Sequence, residues 1–296
     1  MIPTWDRLPL LRSCLDALRL QDLTHRVYVV DNGSLDGTAA CLAADYPEVM
    51  VLGLPANLGF GRAVNLGIEA GDGELVVLLN NDTLAPPEFL AALVAPLVRD
   101  AALGCVAGVL VDPDGQTIDA AGVVVDRTLA GFSHLHGAGL ADLAGPLEPL
   151  GPCGGAAAYR RGVLTALGGF DPEFFAYGED IDLALRARAA GYRCQVAVDA
   201  RALHRGSATL GRGSRRQLTC SGWSRGYLLG RYRLAPWVLV LELLVGLAET
   251  GRQRRGFPLT SRVRGYRRGR ALPARPWDQR SVGLSLRDGL ARRARG

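Results

Sequence analysis

The chain has no lysine: all 34 of its basic side chains are arginine, which we read as the mark of a GC-rich genome rather than a functional choice. It also lacks paired cysteines. The six, at positions 14, 41, 105, 153, 194 and 220, form no C-x-x-C and no metal-like spacing, so free thiols in a reducing cytosol fit best. No leader-like segment opens the sequence, and a cytoplasmic protein is expected. No apolar run reaches the ~20 residues that span a bilayer. The longest, Ala235 to Ala248, is broken by Glu242 and reads as a buried or interface-lying helix. No G-x-G-x-x-G follows the first strand, which disfavours a dinucleotide-dependent redox enzyme. Internal repeats are absent.

What is present is an uneven charge. Residues 1–200 hold 12 Arg against 25 Asp and Glu, a net of −13; residues 201–296 hold 22 Arg against 4 acids, a net of +18. The basic part, with helical patterning over Leu218–Leu234 and an apolar stretch from Trp237 to Ala248, suits an anionic membrane surface better than a nucleic-acid arm. No nucleic acid is expected. The plainer alternative is a helix packed on the body of the protein with a solvated Arg tail after Gly251. Three regions follow: 1–213, a catalytic domain; 214–250, a helical extension; and 251–296, a flexible Arg-rich tail.

The patterning alternates between strands and helices. Leu10, Leu11, Cys14, Leu15 and Leu18 repeat at helical spacing. Arg26–Val30, Val49–Leu52 and Leu75–Leu79 read as strands, with helices from Asp36-Gly37-Thr38 to Ala44 and over Gly61–Ala70. A further helix starts at Pro86-Pro87-Glu88. This order predicts an α/β fold with a mostly parallel, doubly wound sheet, whose ligands sit beyond the carboxyl ends of the strands. Residues 127–151 show no steady period and are expected to form a long mobile loop.

Polar residues gather at those strand ends. Asp31 closes one strand and can take a hydrogen bond from a ribose hydroxyl or a base; Asp36, five residues on, reads as a helix cap. Asn57-Leu58-Gly59-Phe60-Gly61-Arg62-Ala63-Val64-Asn65 puts glycines and an arginine at a helix start, suited to a phosphate or nucleotide. Asn80-Asn81-Asp82 offers a carboxylate and amide oxygens, hard ligands for Mg²⁺ or Mn²⁺ on a diphosphate. Gly154 and Gly155 allow close backbone approach. Glu179, Asp180 and Asp182 crowd a helix start opened by Gly178, where the positive helix end should keep them ionised and fit one as a general base. The bland alternative is a charged first turn with Asp182 paired to Arg186. His204 follows the strand Cys194–Val198, where the acidic clusters call for a cation; His134 and His136 read as solvent-exposed.

Four blocks together resemble family 2 glycosyltransferases, closest to their rhamnosyltransferase-like branch. They are Val30-Asp31-Asn32-Gly33-Ser34 through Thr38, Asn57-x-Gly59-Phe60 through Gly67, Leu79-Asn80-Asn81-Asp82, and Gly168-Gly169-Phe170-Asp171-Pro172 through Leu183. The resemblance covers residues 2 to about 205. It implies a GT-A fold (to which the patterning adds a C-terminal helical extension), a nucleoside-diphosphate sugar donor such as dTDP-rhamnose, a divalent metal and inversion at the anomeric carbon. The implied acceptor is a cell-surface glycan or polyprenyl-linked saccharide. By position, Asp31 resembles the acid that reads base or ribose, and Pro3 and Thr4 the first-strand residues of the nucleotide pocket. Asp82 takes the metal-binding place of the D-x-D-type signature, with Asn80 and Asn81 where other members carry acids. Asp180 matches the usual base, flanked by Glu179 and Asp182, and His204 a metal-ligand histidine. The family's first strand has several apolar residues ahead of the Ile2-Pro3-Thr4 equivalent, so a start upstream of Met1 is expected.

Attack by an acceptor hydroxyl needs one base and no protein nucleophile. Two competing readings are a nucleotidyltransferase, which expects a Gly-rich, Lys-bearing loop that this chain cannot supply, and a glycan- or nucleotide-binding scaffold without turnover.

Overall fold

A computed structural model describes residues 1–205, 214–253, 259–278 and 282–295; the expected boundary at residue 213 lies outside the described residues. The chain opens with strand β1 (Ile2–Thr4), helix α1 (Leu8–Leu18), β2 (Tyr28–Asp31), α2 (Thr38–Asp45), β3 (Met50–Gly53), α3 (Phe60–Ala70) and β4 (Leu75–Leu79). Then come β5 (Thr83–Leu84), α4 (Phe89–Arg99), β6 (Leu103–Val111), β7 (Ile118–Ala120), β8 (Val123–Val125) and β9 (Gly131–Ser133). The catalytic body ends with β10 (Ala156–Arg160), α5 (Arg161–Leu167), α6 (Glu179–Ala189) and β11 (Arg193–His204). Four helices follow: α7 (Arg215–Arg231), α8 (Pro236–Gln253), α9 (Leu259–Ala271) and α10 (Leu286–Arg295).

β1, β2 and β3 are parallel neighbours. Met1 donates its amine to the Val77 carbonyl and accepts from Leu79 N–H, the bonding pattern of parallel strands, and so joins β1 to β4. Beyond β4 the order is β10, β6, β11, β5. Here the sheet is mixed: β10 runs antiparallel to both β4 and β6, while β11 is parallel to β6. The parallel half ends its strands at Thr4, Asp31 and Leu79, and these ends converge on one edge.

Helical spacing decides which side chains turn inward. On α1, Leu11, Cys14, Leu15 and Leu18 are buried, packing with Phe89, Leu93 and Leu97 of α4 on one face of the sheet. Val64 and Ile68 of α3, Leu164 of α5 and Leu183 of α6 cover the other. A third cluster joins Phe174 and Leu185 to Tyr227, Leu228 and Tyr232, fastening α7 to the body. The segment 127–151 is not a loose loop: Leu129 and Leu150 are buried, and β9 pairs with β8. Its apolar residues are spaced for tertiary contact rather than for a regular element.

The expected flexible tail is also overturned at residues 259–271, which form α9 against α7. The cause is glycine at facing positions. A Cβ on Gly226 would lie 1.9 Å from the Arg262 carbonyl oxygen, and one on Gly265 would lie 2.0 Å from that of Trp223. Gly230 and Gly269 repeat the contact one turn on, so the two backbones touch where side chains would hold them apart.

This packing makes a paired prediction. Gly265→Ala forces backbone against backbone and should lower stability by about 1–3 kcal/mol. Gly162→Ala, in the first turn of α5 with open space around it, should be neutral or raise stability by up to about 1 kcal/mol. Thermal unfolding of both variants checks this; equal melting temperatures would remove the close α7–α9 contact from the account.

Candidate active site

At the converging strand ends lies a cavity of about 320 Å³. Pro3, Thr4, Asn57, Gly59, Asn81 and Asp82 wall its first-half side. Gly154, Gly155, Glu179 and His204 close the other. A larger cavity, about 420 Å³, sits by the other end of β4, but no carboxylate lines it.

Asp82 and His204 face each other across the floor. His204 Nε2 lies 3.2 Å from Asp82 Oδ1, yet both atoms are buried without a hydrogen bond of acceptable geometry. On its far side the ring bonds through Nδ1 to Asp119 Oδ2 at 2.7 Å. A carboxylate behind an imidazole is how a metal-ligating histidine is oriented, leaving Nε2 for the metal. Burial lowers the imidazole pKa, but bonding and charge from Asp119 and Asp82 outweigh it and push it up to about 9. The pair therefore favours a positive charge between its two carboxylates. Among the described residues no group of three or more His, Cys, Asp or Glu is placed to hold a metal. Asp119, on β7, was not legible in the sequence, because only the β6–β7 pairing brings it to His204.

The turn before α6 supplies the carboxylates. Gly178 takes φ +87° as its cap, and Tyr177 before it is held at φ 67°, a strained setting for a side-chain-bearing residue. Glu179 lines the cavity with Oε2 unbonded. Asp180 accepts the Ile181 N–H at 2.8 Å. The helix end does not keep both acids charged. Burial, then repulsion from Asp180, pushes Glu179 up to about 8, and burial raises Asp180 as well. Both acids therefore hold their protons more tightly than ordinary carboxylates, and the pair resists carrying two negative charges at once.

Asp182 has a different place from the one expected. It is 0% exposed, accepts from Arg186 Nε and the Tyr232 hydroxyl at 2.8 Å each, and pairs with Arg275. With its oxygens consumed it cannot take a proton from a substrate. The i to i+4 pair with Arg186 is present, extended by two partners from the C-terminal part.

Other expected residues divide likewise. Asn57 Oδ1 accepts from Asn32 Nδ2 and Gly59 N–H, shaping the cavity wall. Asn81 donates to Thr4 Oγ1 at 2.8 Å. Gly59, Gly154 and Gly155 leave no room for a Cβ, which would meet Phe175, Phe60 and Leu110 within 3 Å. Asp31 is buried and accepts the Ser34 N–H; its neighbour Asn32 lines the cavity instead. Arg62 is turned away to the Pro172 carbonyl. Asn65 clamps the Phe170 backbone through both ends of its amide. Neither touches the cavity, so their part in donor binding gives way to bracing the Phe170–Pro172 turn. Trp5 and Phe175 line the mouth unexpectedly, and the Arg216 guanidinium lies 4.6 Å over the Trp5 ring. His134 is half-buried and His136 exposed.

The fold is that of the GT-A glycosyltransferases, and three solved structures share the architecture. A GalNAc-T7 structure with UDP, GalNAc and Mn²⁺ superposes with TM-score 0.58 at 16% identity, covering 78% of this chain and 49% of that one. The mannosyltransferase PcManGT from Pyrobaculum calidifontis, in complex with GDP-Man and Mn²⁺, gives 0.51 at 19% identity, covering 93% and 75%. TarS of S. aureus gives 0.53 at 18%, covering 77% and 38%. The chain thus spans about half of the GalNAc-T7 structure. Residues 1–168 match the family described as Glycosyl transferase family 2, and the chain belongs to that family. It is 31% identical over 217 residues to the N-acetylglucosaminyl-diphospho-decaprenol L-rhamnosyltransferase of Mycobacterium tuberculosis, covering 63% of this chain and 68% of that protein. It is also 32% identical over 221 residues to the O-antigen biosynthesis protein RfbC of Myxococcus xanthus, covering 71% of this chain and 17% of that one.

The two neighbouring acids should separate in experiment. Asp180→Asn should lower turnover by roughly 10²–10⁴-fold with the melting temperature unchanged or higher. Asp182→Asn removes the buried carboxylate shared by Arg186 and Arg275 and should lower the melting temperature by on the order of 10 °C. A base must be ionised, so wild-type turnover should fall as pH drops through the raised Asp180 pKa, above the ordinary aspartate range. Equal thermal losses in the two variants would contradict the division of roles.

Proposed function

We propose that the chain is an inverting, divalent-metal-dependent glycosyltransferase. It moves a sugar, such as rhamnose from dTDP-rhamnose, to a hydroxyl of a polyprenyl-diphosphate-linked saccharide. The observation that carries this reading is the buried, unbonded pair of Asp82 Oδ1 and His204 Nε2 facing the Glu179-Asp180 turn across one cavity. Mg²⁺ or Mn²⁺ held by Asp82 and His204 would offset the charge that grows on the diphosphate as it leaves. Asp180 takes the acceptor proton, and Glu179, protonated beside it, keeps a second negative charge out of the site. Pro3, Thr4, Asn57 and Asn81 shape the wall against which the nucleotide lies, and Gly154 and Gly155 let the sugar approach the backbone. The acceptor class follows the curated relative, whose name specifies a decaprenyl-diphosphate-linked sugar.

The test is transfer from dTDP-rhamnose to a synthetic prenyl-diphosphate-linked N-acetylglucosamine with Mn²⁺. Product and nucleoside diphosphate should appear, vanish in excess chelator, and return on adding Mn²⁺. Full activity in chelator, or in Asp82→Ala, would overturn the metal reading. Release of no nucleoside diphosphate from any nucleotide sugar would favour a binding scaffold.

Such an acceptor lies in a membrane, and we infer a peripheral attachment at an anionic leaflet. No helix among the described residues is long and apolar enough to cross one. Trp237, Val240 and Leu244, on one side of α8, are 51%, 59% and 60% exposed. The full chain should float with anionic vesicles at low salt and detach as salt rises. A chain that stays with the soluble fraction at every salt concentration contradicts this.

A further inference from the structure

A second cavity, of about 280 Å³, lies on the other side of the Tyr177-Gly178 turn. Tyr177 lines both cavities, so the Glu179-Asp180 turn stands between them. Ile181 of α6 and the 129–132 segment form part of its wall, and Ser221, Arg225, Arg262 and Arg293 of the C-terminal helices supply polar groups.

Arginine dominates its polar lining. Arg225, Arg262 and Arg293 all bond the buried Glu242, at 2.7, 2.7 and 2.6 Å. Asp126 adds a second carboxylate 3.4 Å from Arg293. Arg225 and Arg293 are each only 11% exposed. Arg225 also keeps two N–H groups, on Nε and Nη1, buried without a hydrogen-bond partner. A buried cation with unpaired donors is costly unless an anion meets it, and the planar guanidinium fork matches phosphate oxygens.

The surroundings fix the kind of anion. With the donor on the Asp82 side of the carboxylates, as proposed above, an acceptor would approach from the Arg225 side. Helix α8 turns Glu242 and Val245 toward the second cavity, while Trp237, Val240 and Leu244 form an exposed apolar row at positions i, i+3 and i+7. An arginine-lined cavity behind α8 and an apolar row on that helix's outer face match a diphosphate carrying a long hydrocarbon chain. We propose that this cavity holds the diphosphate of the lipid-linked acceptor, with Arg225 as its principal ligand and the outer row of α8 taking the prenyl chain. The proposal rests on the acceptor class given above.

The experiment uses the full chain with Mn²⁺ and saturating nucleoside diphosphate, so that the donor cavity is filled. Farnesyl diphosphate is then titrated by calorimetry. It should bind the wild type and bind Arg225→Gln about 10-fold or more weakly, the size of one charge-assisted hydrogen bond. Ser221→Glu should weaken it similarly while leaving the Arg225–Glu242 pair in place, which guards against misfolding of the first variant. Trp237→Ser should weaken farnesyl diphosphate yet leave inorganic diphosphate unaffected, separating a lipid headgroup from free phosphate. Absence of binding to the wild type, or equal affinity in wild type, Arg225→Gln and Ser221→Glu, would overturn the socket. Unchanged affinity in Trp237→Ser would remove the chain from α8. Transfer kinetics separate this idea from the functional reading. Arg225-dependent binding without transfer to a prenyl-diphosphate acceptor sinks the acceptor assignment alone. Transfer with wild-type acceptor KM and farnesyl diphosphate affinity in both socket variants sinks the socket alone.

Discussion

One fully buried carboxylate, Asp182, decides how the catalytic turn is held. Its oxygens are taken by Arg186 of the same helix, by Tyr232 at the end of α7 and by Arg275 beyond α9. Arg275 also reaches Asp171, which the Tyr227 hydroxyl bonds at 2.7 Å. Such a network adds little net stability over an apolar core, but removing its central carboxylate leaves buried guanidiniums short of counter-charge. It therefore acts as a register pin. It ties the start of helix α6, where Glu179 lines the cavity, to the C-terminal helices. The contrast in net charge between the two parts of the chain, −13 and +18, finds part of its explanation in these contacts, joined by Arg268–Glu173 and Arg293–Asp126.

Two adjacent positions with the same chemistry thus do opposite work. Asp182, two residues beyond Asp180, is saturated with cations and fixes geometry. Asp180 and Glu179 are short of partners and hold their protons more tightly than usual. Environment, not residue type, assigns the roles. The glycine contacts between α7 and α9 serve the same end, because they bring Arg262 and Arg275 close enough to reach carboxylates on other elements.

The sequence made the strand ends legible because apolar runs end abruptly at Thr4, Asp31, Leu79 and the residues before Asn80. That rule pointed to Asp82; Glu179 came from the acid cluster at a helix start, and His204 and the paired glycines Gly154-Gly155 from their flanking strands and the family resemblance. Arg62 and Asn65 were misplaced because a helix start with glycine and arginine signals phosphate binding only if the side chain turns inward, and the Phe170–Pro172 turn captures both. Asp119 and the α7–α9 contact were illegible for another reason. Each depends on a pairing between segments distant in sequence, and nothing local marks a glycine as facing another helix. The charge asymmetry was visible, but its main target, other residues of the same chain, was not.

The central claim is that a hydroxyl deprotonated by Asp180 attacks the donor sugar directly, with no covalent intermediate on the protein. The configuration of the new glycosidic bond tests this most directly. With a nucleoside-diphosphate-β-L-sugar donor, early-time-point NMR of the product should show only the α-linkage. A β-linked product would mean retention, and would contradict a single displacement at this site.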